Sequence, residues 1–164
     1  MTGQVIRAVD SQLPPGDIAE LRRLTPSDPF SPAFFKLMAS AVDPDRELPS
    51  GGNSRDEIER RWAVFMQAAA VMRKLNSRKV GLGSALASAG YSEIRFVRLL
   101  KARGSILFRE IRTAAHYLAS KAQMCDLVDI ARLLMVTDAE RAESVRRSIA
   151  RGYYGQSDSP GKEN

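Results

Sequence analysis

The sequence predicts an all-α fold, a compact bundle of about eight helices, and three observations carry that expectation. Strand signals are nearly absent: no strand-length run alternates β-branched or aromatic with polar residues, and there is no Asn-Gly or Asp-Gly hairpin turn. Apolar residues recur instead at spacings of three and four. Helix-start signals stand in front of several of these runs. At 164 residues, with 44% hydrophobic and 27% charged residues, the chain is long enough for a proper core and ordinary enough in composition to be globular. One domain over residues 1–164 is expected, and 76–92 is where N-terminal and C-terminal sub-bundles would divide.

The elements follow in order. After Pro14-Pro15-Gly16, Ile18, Leu21 and Leu24 make a short amphipathic turn whose start Asp17 favours. Ser31-Pro32 reads as N-cap plus first-turn proline for a helix through Phe34, Phe35, Met38 and Val42. DPDRELPSGGNS, residues 43–54, has prolines, glycines and no period, so it is a loop. Ser54 and Glu57 have capping-box spacing, and Ile58, Trp62, Phe65, Ala69 and Met72 then share one face. Burying the large members of that face contributes about 1.5–3 kcal/mol each, which marks a central helix.

A basic turn, NSRKVGLG, leads to a short helix over 82–89 ended by Gly90. Ser92 opens the helix of YSEIRFVRLLKARG, and Gly104 is expected to end it. Leu107, Ile111, Ala114, Ala115 and Leu118 mark a longer helix, and Leu127, Ile130, Ala131 and Leu134 the next. The last starts at a second capping box, Thr137 to Glu140, and runs through Val145 and Ile149 towards Tyr153. A frayed polar tail is expected over 155–164.

Several function classes find no support. No apolar run approaches the roughly 18 residues of a spanning helix, and MTGQVIRAVD lacks the basic and apolar regions of a signal peptide, so a soluble, cytoplasmic protein without membrane contact is expected. One cysteine, Cys125, and one histidine, His116, cannot make an internal disulfide or a transition-metal cluster, and no D-x-D-x-D-G spacing occurs. GLGSALASAG, residues 81–90, lacks a preceding strand and the spacing of a phosphate loop; it reads as a turn and a closely packed small-residue helix. His116 has no nominated nucleophile or orienting group, and Cys125 reads as a small packed residue. Asp126, Asp129, Asp138 and Glu140 suit helix N-termini better than paired-carboxylate catalysis. The expectation is no catalytic residue, no metal and no cofactor.

Charge is the informative feature. Residues 1–60, 61–112 and 113–164 carry net charges of −3, +9 and 0, so the whole excess of +6 lies in the middle third. Nucleic acid or an acidic protein surface fits such a concentration. At about 100° per residue, Arg95, Arg98 and Lys101 form a stripe, with Phe96, Leu99 and Leu100 covering much of the other side. Arg109 and Arg112 repeat the arrangement one helix later, and Arg73, Lys74, Arg78 and Lys79 add a cluster before it. Such cations neutralise phosphates without reading bases. Aromatic residues are only 7% and fall mostly on apolar faces, so a backbone-tracking groove fits better than a stacking platform. LASAGYSEIRFVRLL also admits a helix-turn-helix reading, and a scaffold that binds an acidic partner is a third.

LRRLTPSDPFSPAFFKLMA, ERRWAVFMQAAAVM, GLGSALASAGYSEIRFVRLLKARG and RRSIARGYYG, in this order over roughly residues 15–155, resemble the CasB family, the small subunit of the type I-E CRISPR surveillance complex Cascade. The most specific part is Ser92, Glu93, Arg95, Phe96, Arg98, Leu99 and Leu100. The resemblance implies an all-α fold in two small bundles without enzymatic activity. It also implies head-to-tail self-association along the complex, with crRNA and the other Cascade subunits as partners. Basic surfaces would help hold the target DNA and the displaced non-target strand in the R-loop. Carried over residue by residue, that role falls on Arg22 and Arg23, on Arg95, Arg98 and Lys101, and on Arg109 and Arg112; Arg95 has a rival role within the fold, pairing with an acid under a neighbouring helix. Two departures stand out. SKAQMCD replaces the family's glycine-containing turn, so the junction near Lys121 is expected to differ, and the tryptophan common before the final tyrosines is missing.

Overall fold

Nine helices and no strand make up the described residues, which in this computed structural model are 1–25, 27–42 and 54–157. They are α1 Thr2–Ser11, α2 Pro15–Arg22, α3 Pro32–Ala41, α4 Arg55–Val71, α5 Leu82–Ser88, α6 Glu93–Lys101, α7 Gly104–Ser120, α8 Leu127–Met135 and α9 Ala139–Ser157. The all-α expectation holds, with one helix more than anticipated. That helix is α1, whose Val5, Ile6 and Val9 are buried. Most of the expected loop, 43–53, and of the expected tail, 158–164, lies outside the described residues, while residues 155–157 continue α9.

Helix α4 is central: it packs on α1, α2, α7 and α8. The five residues assigned to its apolar face are all buried, and so is every residue from Trp62 to Ala70. Ala68, Ala69 and Ala70 explain the difference, because small side chains let neighbours approach from more than one side.

The cap signals are largely local and largely correct. Ser31 Oγ accepts from Phe34 N at 3.2 Å, and Ser54 Oγ accepts from Glu57 N at 3.3 Å. The Glu57 carboxylate does not reach back; it pairs with Arg61 instead. At the last helix the cap is Asp138, not Thr137: its Oδ1 accepts from Arg141 N at 2.8 Å. Asp126 Oδ1 caps α8 through Val128 N at 3.0 Å, and Asp129 on α8 reaches across to α5, where its Oδ2 accepts from Leu82 N at 2.9 Å.

Gly104 is a correction. Helix α6 ends at Lys101, Ala102 and Arg103 are extended, and Gly104, at φ +54°, is the first residue of α7. The junction at Lys121 is resolved by backbone chemistry. Gln123 N donates to Leu118 O at 2.9 Å and Ala122 N to Ala119 O at 3.0 Å, a Schellman pair that needs a left-handed residue at 122. Alanine takes it, at φ +49°. Left-handed backbone costs an L-residue roughly 1–2 kcal/mol, and the added freedom of unfolded glycine returns about 0.5–1 kcal/mol of that. Ala122→Gly is therefore expected to raise unfolding stability by about 0.5–1 kcal/mol, read as a higher urea midpoint at unchanged slope.

Among the described residues, helices α5 and α9 share the most extensive contact. Gly83 and Gly152 face each other across it, and Ser84 Oγ donates to Gly152 O at 3.3 Å. Tyr153 then stacks on Phe96 with ring centroids 3.9 Å apart, which fixes α6 against the end of α9. The turn after α4 is tied to the segment before α8: Cys125 N donates to Leu75 O at 3.0 Å and Asp126 N to Val80 O at 2.7 Å.

Cys125 is fully buried in this knot, and burial together with Asp129 and Asp126 pushes its thiol up to about 12. The folded state therefore holds the proton more tightly than the unfolded one. Stability from this group is complete below the ordinary value of 9.0 and falls as pH rises from there towards about 12. Iodoacetamide at pH 8 is expected to leave native Cys125 unlabelled and to modify it in urea.

Candidate nucleic-acid interface

Arg95, Arg98 and Lys101 are exposed along α6. Phe96 and Leu99 are buried beneath them, so the helix is anchored by one side and presents the cations on the other. Among the described residues no carboxylate lies within 4.0 Å of any of the three. The acid on their own helix, Glu93, accepts instead from Tyr154 Oη at 2.9 Å. Arg95 lies over the Tyr91 ring, 5.9 Å from its centroid, and makes no ion pair among the described residues. Tyr91 is held above the ordinary tyrosine range by burial and then by Glu110, with Arg95 and Arg98 opposing. Glu110, buried on α7, is thus near enough to this corner for its charge to be felt.

Of the α7 pair, Arg112 does not extend the stripe. Glu110 and Arg112 differ by about 200° around the helix, so Arg112 looks away from Tyr91. It lines a cavity with α4 and the segment after α2. Arg109 is exposed and lies 3.6 Å from Glu110.

The remaining candidates divide between free and tethered side chains. Arg22 Nε donates to Ala70 O at 2.9 Å, at the end of α4. Arg73 donates from Nε to Val9 O at 3.0 Å and from Nη2 to Asp10 O at 3.3 Å, closing the end of α1. Both guanidinium groups therefore bind helix C-termini, where carbonyl dipoles favour positive charge. Arg23, Lys74, Arg78 and Lys79 are exposed, and Arg78 shares a shallow cavity with Arg7 of α1.

A second basic cluster lies in the groove between α6 and α9, about 440 Å³, which Lys101, Arg103, Arg146 and Arg147 line. Arg146 is buried: its Nε donates to Leu100 O at 2.9 Å and its Nη2 to Ala102 O at 3.3 Å. Arg103 Nη1 donates to the same two carbonyls at 3.1 and 2.9 Å. Burial, and then Arg103, holds Arg146 below the ordinary arginine value, with Glu143 opposing. Sequence reasoning missed this cluster. The available signal was spacing: Arg146 is three residues before Ile149 and seven before Tyr153, both buried, so a cation stands on the apolar face.

Among the described residues there is no group of three or more His, Cys, Asp or Glu arranged for a metal, and no helix is long and apolar enough to cross a membrane. His116 is exposed on α7.

Comparison with known proteins agrees with this architecture. A chain in the crystal structure of Escherichia coli Cascade bound to a PAM-containing dsDNA target superposes with a TM-score of 0.64 at 19% identity, covering 92% of this chain and 95% of that one. CasB from Thermobifida fusca superposes with a TM-score of 0.64 at 17% identity, covering 93% and 95%. At these identities the likeness is one of fold. No curated protein matches in sequence. The family model for CRISPR-associated protein Cse2 matches residues 17–154, from within α2 to within the last turn of α9, and the chain accordingly belongs to the Cse2 (CasB) family of CRISPR-associated proteins.

Proposed function

We propose that this chain is a non-catalytic, cytoplasmic small subunit of a crRNA-guided Cascade complex, in which it holds the backbone of the target DNA and of the displaced non-target strand and so stabilises the R-loop. The observation that carries the reading is the α6 stripe. Three cations without local counter-ions stand on a helix whose other face is locked into the core. Point charges on a fixed helix suit a phosphate track, because they bind without a base preference and need no rearrangement. Arg23, Lys74, Arg78, Lys79 and Arg109 supply further exposed charge, while Arg22 and Arg73 act through the helix ends that they close. Other Cascade subunits, crRNA and a second copy of the chain placed head to tail are the proposed partners.

A salt titration tests the reading. Labelled random-sequence single- and double-stranded DNA are expected to bind with log affinity falling linearly in log salt, by about 0.7 and 0.9 per neutralised phosphate respectively. Strong preference for one duplex sequence would point instead to a helix-turn-helix reader built on α5 and α6. Absence of binding at low salt, alone and in the reconstituted complex, would leave a scaffold that meets an acidic protein.

A further inference from the structure

Resting on that nucleic-acid reading, we propose that the groove between α6 and α9 seats a single DNA strand, its phosphates on Lys101, Arg103 and Arg147 and a base against the ring of Tyr154. The groove measures about 440 Å³, comparable with the roughly 300–1,000 Å³ of small-molecule sites, so it has room for a nucleotide unit. The two helices run antiparallel along it: Glu93 meets Tyr154 at one end, and Leu100 and Ala102 meet Arg146 at the other. Lys101 belongs both to the α6 stripe and to the groove wall, so the groove continues the stripe.

Charge selects a polyanion. Four cations line the groove against one carboxylate, Glu143, which Arg147 engages through Nε at 3.1 Å. Carbonyls at the C-terminal end of α6 would repel a phosphate, but Arg146 and Arg103 cover Leu100 O and Ala102 O. Arg146, buried, directs Nε and both Nη atoms at backbone carbonyls and is a positioning residue. Arg103 is exposed and gives the carbonyls Nη1 alone; its Nε and Nη2 have no partner among the described residues. The strand state follows from the apolar side. Val97, Leu100 and Ala150 line the groove, and Arg146, Ala150 and Tyr154 recur at spacings of four, which places Tyr154 one turn beyond the wall on the same side of α9. Tyr154 is 39% exposed, and its hydroxyl is fixed on Glu93 at 2.9 Å, so the ring is in place before any base arrives. A duplex hides its base faces, whereas an unpaired base can stack on such a ring. An acidic side chain matches the cations but leaves the ring and the apolar wall without a partner.

The test titrates fluorescein-labelled oligo-dT, a fully abasic strand of equal length and a random-sequence duplex at several salt concentrations, for the chain alone and in the assembled complex. Glu143→Gln removes the carboxylate and frees Arg147. It is expected to tighten oligo-dT about threefold and to leave the duplex unchanged, a gain that unfolding cannot imitate. Arg147→Ala is expected to lower the oligo-dT salt slope by about 0.7 and not to alter the duplex slope. Tyr154→Ala should weaken oligo-dT about tenfold without affecting the abasic strand, while Tyr154→Phe, which keeps the ring and loses the Glu93 bond, should stay near the wild type. Equal changes for single strand and duplex, or none for either, overturn the groove proposal and leave the stripe reading intact. Labelled poly-glutamate that binds and is lost in Arg147→Ala, with oligo-dT unaffected, assigns the groove to an acidic protein and again overturns the proposal. Failure of every DNA to bind in either state overturns the underlying reading as well.

Discussion

Gly83→Ala is expected to be among the most damaging conservative changes in the chain, although it adds one methyl group to a helix. A Cβ at Gly83 would overlap the carbonyl oxygen of Ile149 and lie 2.8 Å from Tyr153 N and 2.9 Å from Ile149 C, all backbone of α9. A flexible side chain could rotate away; a helix backbone can only be displaced. Displacing α9 loosens the most extensive helix contact among the described residues and the Phe96–Tyr153 stack beyond it. Overpacking of this kind costs about 1–3 kcal/mol or more, against a propensity gain of about 1 kcal/mol when alanine replaces helical glycine. Because backbone must move, the upper end of that cost applies, and a net loss of about 2 kcal/mol is expected, a fall in Tm of roughly 4–8 °C at this size. Gly3→Ala is the control: nothing lies within 4 Å of the added methyl in α1, so the same change there should be neutral or slightly stabilising. Equal effects at the two glycines would show that α5 and α9 are not in close contact.

Reversing the stripe is expected to have the largest effect on binding. Arg95→Glu/Arg98→Glu/Lys101→Glu exchanges three exposed cations for anions and leaves Phe96 and Leu99 in place. Each lost phosphate contact lowers the salt slope by about 1 and weakens binding uniformly across sequences. The triple variant should therefore lose a slope of about 2–3 and most of its affinity. Acid at Lys101 also opposes the dipole at the end of α6, at a cost of about 0.3–1 kcal/mol, so circular dichroism must first show that the variant is folded. Arg132→Glu, an exposed arginine of α8 that lies 3.5 Å from Asp129, is the charge control. If the control weakens binding as much as one third of the triple change, binding follows net charge and the stripe has no special part.

The candidate surface was legible only where it rests on a helix read correctly. Arg95, Arg98 and Lys101 follow from period and composition, since an amphipathic helix fixes which residues share a side. Arg22 and Arg73 have the same composition and a different fate, because the carbonyls that hold them, Ala70, Val9 and Asp10, belong to other helices. Arg112 shows the limit from the other direction: its neighbours come from α4 and the segment after α2, so it joins a cavity and not the stripe.

Sequence by itself determined the helical class, the family resemblance, eight of the nine helices and the caps at Ser31, Ser54 and Asp126. Ser31 and Asp126 act on amide groups two or three residues away, and a local signal needs no knowledge of the fold. Helix α1 escaped because Val5, Ile6 and Val9 make a short apolar face without a preceding cap residue, and packing on α3 and α4 completes what propensity leaves marginal. Tertiary structure alone decided the capping of α5 by Asp129, the meeting of Gly83 with α9, the pairing of Arg103 with Arg146 on the end of α6, and the cavity beside Arg112. Each joins residues far apart in the chain. Such contacts are selected by how helices pack, and the order of residues along any one helix does not encode which neighbour it will meet.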